Sequence, residues 1–283
     1  MNTFLISAAD ILSQPWGMAI FLLIDAAILL LIVALNYRWL FKRTLDLVFS
    51  AIFLLLFFPF FLLALLVQLL YNRSQNAYKT LFTREYYVGK REKIICIRTF
   101  STERIEHDAA GNLLPEQVRL TKYGKVLRVT KMKYYPCLAS VFLGKMSFVG
   151  PRLISLSDAS ALNDLQAERF RVRPGLVSSL EKYGGESLTY PDLFEEDAEY
   201  VRRVNLFRDI GFFCARLIRG LRGEAARPYG ECTDVTYVEW LLQKGEIDAA
   251  EANAFVEAGS VRLKSYLQKR NAANGTVNRT LMR

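Results

Sequence analysis

The sequence predicts an α+β protein associated with a membrane. It would consist of an N-terminal transmembrane helix, a re-entrant helix-break-helix and a small cytoplasmic domain with amphipathic interfacial helices. Three observations predict this. Hydrophobic residues make up 52% of the 283, and the excess lies before residue 71. All 37 Lys and Arg fall at or after Arg38, with only Asp10 and Asp25 charged before it. The remainder has the short apolar periods of an ordinary globular domain. The expected division is 1–41 for the anchor, 42–70 for the re-entrant helix and 71–230 for the cytoplasmic domain. Residues 231–283 form a helical extension with a disordered tail.

Gly17 to Asn36 is a 20-residue run broken only by Asp25. At the helical rise it reaches about 30 Å, one hydrocarbon thickness. It lacks the basic start and small-residue cleavage site of a signal peptide, so it reads as an uncleaved anchor. Asp25 has two readings, a helix–helix or proton-linked role and an acid that pairs within an oligomer or draws in water. Arg38, Lys42 and Arg43 follow at once, which places this end in the cytoplasm and the N-terminus outside.

The second apolar run, Leu45 to Leu70, carries Pro59 near its centre. Beyond it come Arg73, Lys79, Arg84, Lys90, Arg91 and Lys93. Both flanks therefore favour the cytoplasmic side, which a spanning helix cannot satisfy. A proline at the apex removes one backbone hydrogen bond and supplies the bend. The expectation is a re-entrant pair of half-helices, Leu45–Phe58 and Phe60–Leu70.

Composition excludes several classes. Cys96, Cys137, Cys214 and Cys232 contain no C-x-x-C pair, and His107 is the single histidine. That argues against a disulfide framework, a Cys- or His-based metal site and a Ser-His hydrolase. There is no P-loop or G-x-G-x-x-G fingerprint. Net charge is +9, which favours anionic lipid headgroups, phosphates or nucleotides. No recognition helix, zinc or stacking signature supports nucleic acid.

In the globular part, Lys93 to Arg98 reads as a short buried strand and His107 to Pro115 as a loop. Asp158 to Phe170 reads as a helix capped by Asp158 or Ser157, and Glu195 to Leu221 as a longer one. The latter carries Phe207, Ile210, Cys214, Leu217 and Leu221 on one face and arginines over much of the rest. Two readings stand: it lies on the bilayer surface, or its apolar stripe packs on the core with a solvated basic side. Residues 232–270 suggest two helices split near Lys244–Asp248, and the polar tail from Asn271 reads as disordered.

Seven motifs recur in order. They are K-R-T-L-D at 42–46, the apolar run broken by Pro59, R-T-F at 98–100 and D-A-A-G-N-L-L-P at 108–115. R-L-T-K-Y-G-K-V-L-R at 119–128, G-K-M-S-F-V-G-P-R at 144–152 and R-P-G-L at 173–176 complete the set. Each is weak alone. In this order and spacing, over about residues 42–222, they resemble the bacterial sugar transferase family, the monotopic polyprenyl-phosphate phosphoglycosyl transferases. The resemblance implies transfer of a sugar 1-phosphate from a nucleotide diphosphosugar to polyprenyl phosphate at the bacterial membrane. It further implies an Asp-Glu pair, with the Asp as nucleophile, and a Mg²⁺ ion. It implies that Lys42, Arg43, Asp46 and Pro59 belong to the re-entrant membrane motif.

The sequence departs from that pattern where the chemistry should lie. Lys133 and Tyr134 stand at the Asp-Glu positions, and Lys145 replaces the Asp of the family's G-D-M-S. Cys96, Tyr87, Phe58 and Leu153 replace a Lys, an Arg, a Ser and a Pro. Three carboxylates thus become two ammonium groups and a phenol. A Lys ammonium has no lone pair, and Mg²⁺ demands hard oxygen ligands. No intact catalytic residue and no metal or other cofactor are therefore expected. Arg98, Arg119, Arg128, Arg152 and Arg173 remain as cations suited to phosphate. Each has a second reading as a structural ion pair or lipid contact. With Lys145 they form the candidate phosphate- or nucleotide-binding set.

The leading expectation is a catalytically degenerate family member in polysaccharide or glycoconjugate assembly. It would sit in the inner membrane and bind polyprenyl phosphate or anionic lipid, a UDP-sugar, or an active partner transferase. The alternatives are an active transferase with another nucleophile, drawn from Glu103, Glu106, Asp108 or Glu116, and a membrane scaffold without ligand.

Overall fold

A computed structural model describes residues 14–75, 80–104, 106, 107, 114, 116–183, 188–222 and 235–281. Most of the expected loop His107–Pro115, including Asp108, lies outside the described residues, as does Cys232.

Helix α1 spans Pro15–Asn36, with the proline where its missing N–H costs nothing. Its apolar side chains, and Asp25, are exposed. A π-helical turn, Tyr37–Phe41, leads into α2, Lys42–Gln75. Both helices are long and apolar enough to cross a membrane. The sequence expected two half-helices in place of α2, whereas the structure has one helix of 34 residues with Pro59 inside it. A proline deletes one hydrogen bond, and the rest of the ladder holds the helix together. The Tyr135 hydroxyl donates to the Leu54 carbonyl at 2.6 Å, beside the Leu55 carbonyl that Pro59 leaves without its usual donor.

The domain packs along α2. Phe61 stacks on Tyr135 with ring centroids 4.9 Å apart. Tyr123 donates to the Ala64 carbonyl at 2.6 Å, and the buried Gln68 amide donates to Leu81 and Ser101 carbonyls at 3.0 Å each.

Strand β1 (Phe82–Val88) pairs antiparallel with β2 (Ile94–Phe100), Glu85 opposite Ile97. β2 is the strand expected at 93–98, but its burial alternates, so it is half-buried rather than fully enclosed. Short helices α3 (Glu116–Arg119), α4 (Lys122–Val129) and α5 (Tyr135–Phe142) follow. Strand β3 (Ser147–Val149) then pairs in parallel with β4 (Gly175–Val177). A Cβ on Gly175 would lie 2.2 Å from the Gly150 nitrogen, and one on Gly150 would lie 2.4 Å from the Arg173 carbonyl. The G-P-R and R-P-G motifs are glycine-bearing because their backbones touch.

Two expected helices are each divided. In place of Asp158–Phe170 stand α6 (Leu156–Ser160) and α7 (Asp164–Ala167). Ser155 caps the first, and Asn163 with Gln166 forms a capping box on the second. In place of Glu195–Leu221 stand α8 (Tyr190–Arg202) and α9 (Leu206–Leu221), separated where Asn205 accepts from the Arg208 backbone N–H at 2.9 Å. Side-chain caps inside one apolar period stop a helix that periodicity alone would run through.

Helices α10 (Tyr237–Lys244) and α11 (Ala249–Leu281) divide at Gly245, in the left-handed conformation at φ 73°. The split falls where expected. The tail expected to be disordered from Asn271 is helical to Leu281, since no proline interrupts a helix already nucleated. Tyr237, Trp240 and Leu241 of α10 join Val88, Leu180 and Leu193 in one core cluster. Gly259 of α11 lies so close to α6 that a Cβ there would meet the Ser157 nitrogen at 2.7 Å. The C-terminal helices therefore pack on their own domain.

Candidate functional site

The membrane-proximal motif is a set of clasps. Lys42 pairs with Asp209 of α9. The same buried carboxylate accepts from the hydroxyls of Tyr37 at 2.5 Å and Tyr200 at 2.8 Å. Arg43 donates to the Val141 and Phe142 carbonyls at 2.7 and 2.6 Å, satisfying the open end of α5. Asp46, also buried, accepts from the Ser147 hydroxyl at 2.7 Å and the Phe148 N–H at 3.1 Å. These residues fix α2 against α5, β3 and α9.

Lys133, which the family resemblance sets at a dyad position, lines a cleft of about 780 Å³ with Glu85, Arg98, Glu103 and Arg119 among others. Lys133 also borders a second cleft, with Arg128, Lys131, Tyr134 and Arg216. Lys133 and Tyr134 sit in a 3₁₀ turn, Met132–Tyr134, that follows Lys131 at φ 61°. The Lys133 ammonium lies 5.6 Å from the centre of the Tyr134 ring.

Carboxylates are present here, from positions the motifs did not mark. Glu103 pairs with Arg119 at 2.9 Å and with Arg128. Arg128 also donates from Nε to the Thr102 hydroxyl at 3.1 Å, and Arg119 from Nε to the Leu114 carbonyl at 2.7 Å. Both arginines are thus tied into the fold. Glu85, on β1, accepts from the Tyr87 hydroxyl at 2.8 Å. Burial, then the Glu85 charge, raises the Tyr87 and Tyr134 phenols. Burial pushes the Cys137 thiol up to about 12, with Glu85 adding to the rise and Lys133 opposing it. Glu85 and Lys133 therefore face the same few side chains. The sequence reading missed Glu85 because it missed β1, although Thr83, Tyr86, Tyr87 and Val88 before Gly89 are a strand signal.

The six expected phosphate-binding residues do not form one constellation. Arg98 and Arg119 share the first cleft with Lys133, and Arg128 borders the second. Lys145 and Arg173 line a separate cleft with Lys90, Arg91 and Lys93. Arg152 lines a fourth hollow with Tyr87, Asp158 and Arg169. There the buried Arg169 pairs with the buried Asp197 at 3.0 Å. Burial lifts the Asp197 carboxyl to about 6 although Arg169 pulls it down.

Helix α9 presents its charges inward. Asp209 and Arg219 are buried, and Arg219 pairs with Glu181 at 2.8 Å. Phe207, Leu217 and Leu221 are exposed by 62%, 56% and 82%. That overturns the reading in which the apolar stripe packs on the core. An apolar hollow of about 180 Å³ separates α9 from the first half of α2, lined by Phe49, Phe53, Phe148, Ile210 and Phe213.

Residues 37–222 match the family model described as "Bacterial sugar transferase". The chain belongs to that family. Relatives bear this out. The uncharacterized sugar transferase EpsL of Bacillus subtilis is 30% identical over 152 residues, covering 54% of this chain and 75% of EpsL. The exopolysaccharide production protein ExoY of Rhizobium meliloti is 28% identical over 183 residues, 60% of this chain and 80% of ExoY. A UDP-glucose:undecaprenyl-phosphate glucose-1-phosphate transferase of Caulobacter vibrioides is 30% identical over 181 residues, 60% of this chain and 65% of that protein. Family membership and two apolar helices together make this a membrane-associated sugar transferase homologue.

The Mg²⁺ ion that the family resemblance implies does not fit this sugar transferase's cleft. Of the carboxylates lining it, Glu103 is held by two arginines, leaving Glu85 among Arg98, Arg119 and Lys133. A divalent cation there would meet cations already in place, with one carboxylate to offset them. Among the described residues no group of three or more His, Cys, Asp or Glu gathers as a metal site.

Proposed function

We propose that this protein works in exopolysaccharide or related glycoconjugate assembly as a membrane-bound binder of phosphate-bearing substrates, without the family's carboxylate chemistry. The names of its relatives point to polysaccharide assembly and to undecaprenyl phosphate and UDP-glucose as the relatives' substrates. The observation that carries the reading is the cleft at the dyad positions. Lys133 lines it beside Arg98 and Arg119, so cations stand where a nucleophile and a metal would be needed. Such a cleft attracts a diphosphate and offers no dedicated attacking group.

The re-entrant reading of α2 belongs to this proposal. The domain grips α2 near its start through Lys42, Arg43 and Asp46 and near its end through Gln68. Both ends then lie on one membrane face, which the positive-inside rule makes cytoplasmic, with α1 running outward. The exposed Phe207, Leu217 and Leu221 of α9 suit the bilayer interface.

A second reading rests on Glu85. Its carboxylate would attack the sugar-bearing phosphorus of a UDP-sugar, forming an acyl phosphate as the pyrophosphate P–O bond breaks and UMP leaves with the electron pair. Polyprenyl phosphate would then attack the same phosphorus and release Glu85. Purified protein with undecaprenyl phosphate and a panel of UDP-sugars separates the two. The first reading expects no UMP above a protein-free control. UMP release that disappears in Glu85→Gln, but persists in Glu103→Gln, would replace it with the second.

A further inference from the structure

From the geometry, we infer that Lys90, Arg91, Lys93, Lys145 and Arg173 form a second anion site, capped by Tyr266, that takes a phosphate- or diphosphate-bearing ligand without a metal. This holds whether or not transfer occurs at the Lys133 cleft. The site is a cleft of about 460 Å³ at the tip of the β1–β2 hairpin, and no carboxylate lines it. Among the described residues none of the five cations forms an ion pair, in contrast to Arg119 and Arg128.

The cleft is built rather than incidental. Arg91 and Glu92 both hold φ 56°, a left-handed conformation unusual outside glycine. Strain of this kind persists where the surroundings enforce it, and it gathers at ligand clamps. The enforcing contacts are visible. Gly89 N–H donates to the Lys93 carbonyl at 2.9 Å, and Arg262 of α11 donates to the Glu92 carbonyl at 2.5 Å. Glu92 thereby faces Arg262, its carboxylate 3.7 Å away, rather than the cleft. Opposite the hairpin, Arg173 is pinned by donating from Nε to the Gly144 carbonyl at 2.8 Å, with Gly144 at φ 76°. Crowded like charges leave a mark: burial, then Arg173, Arg91 and Arg38, depresses the Lys90 ammonium. A bound phosphate would relieve that repulsion and accept the charge-assisted hydrogen bonds on offer.

Tyr266 adds a flat wall. Its ring meets Tyr86 edge-on with centroids 6.2 Å apart, which fixes its orientation over the cleft. It comes from α11, beyond the residues 37–222 matched by the family model. Two sources supply the same chemistry. One is a free nucleoside diphosphate, whose base would lie on Tyr266. The other is a lipid phosphate, which Arg38 and Arg43 near the membrane helices would help to attract.

The test uses the full chain in phosphatidylcholine nanodiscs with EDTA, titrated calorimetrically with inorganic pyrophosphate and UDP. Lys93→Glu with Lys145→Glu should weaken pyrophosphate binding at least tenfold. Lys93→Arg with Lys145→Arg should keep it within threefold, which guards against loss through misfolding. Each is made in a Lys133→Ala background, which weakens the other diphosphate-attracting cleft, so that the change reads on this site. Selective loss of UDP binding in Tyr266→Ala supports the nucleotide source. Competition by phosphatidylglycerol nanodiscs, lost in the double-Glu variant, supports the lipid source. Absence of pyrophosphate binding in the Lys133→Ala background, or indifference to the double-Glu change, would overturn the inference.

Discussion

The clasp at the start of α2 and the cleft at Lys133 are both built from charged side chains, and they handle charge in opposite ways. In the clasp, each charge meets an internal partner: Lys42 with Asp209, Arg43 with two carbonyls, Asp46 with Ser147 and Phe148. In the cleft, Arg98 and Lys133 stand beside Glu85, and Arg119 is tied down through Glu103, which also holds Arg128. A family motif therefore carries two separable instructions. One holds the domain to its membrane helix and is intact here. The other, under the proposed function, would supply the reaction and has changed sign.

The comparison breaks first if the clasp is not structural. Asp209→Ala leaves the part-buried Lys42 ammonium without its carboxylate, which costs up to about 3–5 kcal/mol. The expected outcome in a thermal melt is loss of the cooperative transition or a large fall in its midpoint. Lys42→Met with Asp209→Leu removes both charges together and should recover most of that loss. A single-Asp variant as stable as wild type would show that the clasp holds nothing.

Membrane contact gives the next largest effect. Leu217→Glu with Leu221→Glu, in a chain lacking residues 1–36, should shift a large fraction of the protein from membrane to soluble extract. Glu257→Gln, exposed on α11, should not. Retention of the double variant would remove α9 from the interface.

The cleft should respond least. Lys133→Ala should change stability by no more than about 0.5 kcal/mol, as expected for a side chain outside the packed core. A loss above about 2 kcal/mol would make Lys133 a fold residue and dissolve the distinction.

Thiol chemistry sharpens the same contrast between inside and outside. Burial pushes Cys137 up to about 12, so it should stay unmodified by a maleimide at pH 7.5 until the protein is denatured. Cys214, exposed on α9, should be modified in detergent and protected from a water-soluble maleimide in intact membranes. Equal labelling of Cys214 in both settings would argue against burial of that face in lipid.

Much of the membrane end was legible, because hydropathy and charge act over whole segments. α1 is where the apolar run ends at Asn36, and Lys42, Arg43 and Asp46 were marked as a unit. Their purpose was not, since Asp209 lies 167 residues from Lys42 in the chain and no local pattern joins them. The two divided helices were misread for a local reason: Ser155, Asn163 and Asn205 act as caps only when their side chains turn back to the chain. The phosphate set was misjudged as one site because arginine type and motif order say nothing about which cleft a side chain faces. Arg128 and Arg119 proved to be ion-paired through a glutamate between them. Glu85, two residues before a noted departure at Tyr87, became visible only once β1 paired with β2.

The central claim is that the cleft at Lys133 works without a metal. Calorimetric titration of UDP into the wild-type protein, with 5 mM Mg²⁺ as a typical assay concentration or with EDTA, and repeated in Lys133→Asp with Tyr134→Glu, tests it directly. The account predicts wild-type affinities within about twofold of each other and a clear Mg²⁺ dependence only in the double variant. A tenfold or greater gain on adding Mg²⁺ to the wild-type protein would contradict it.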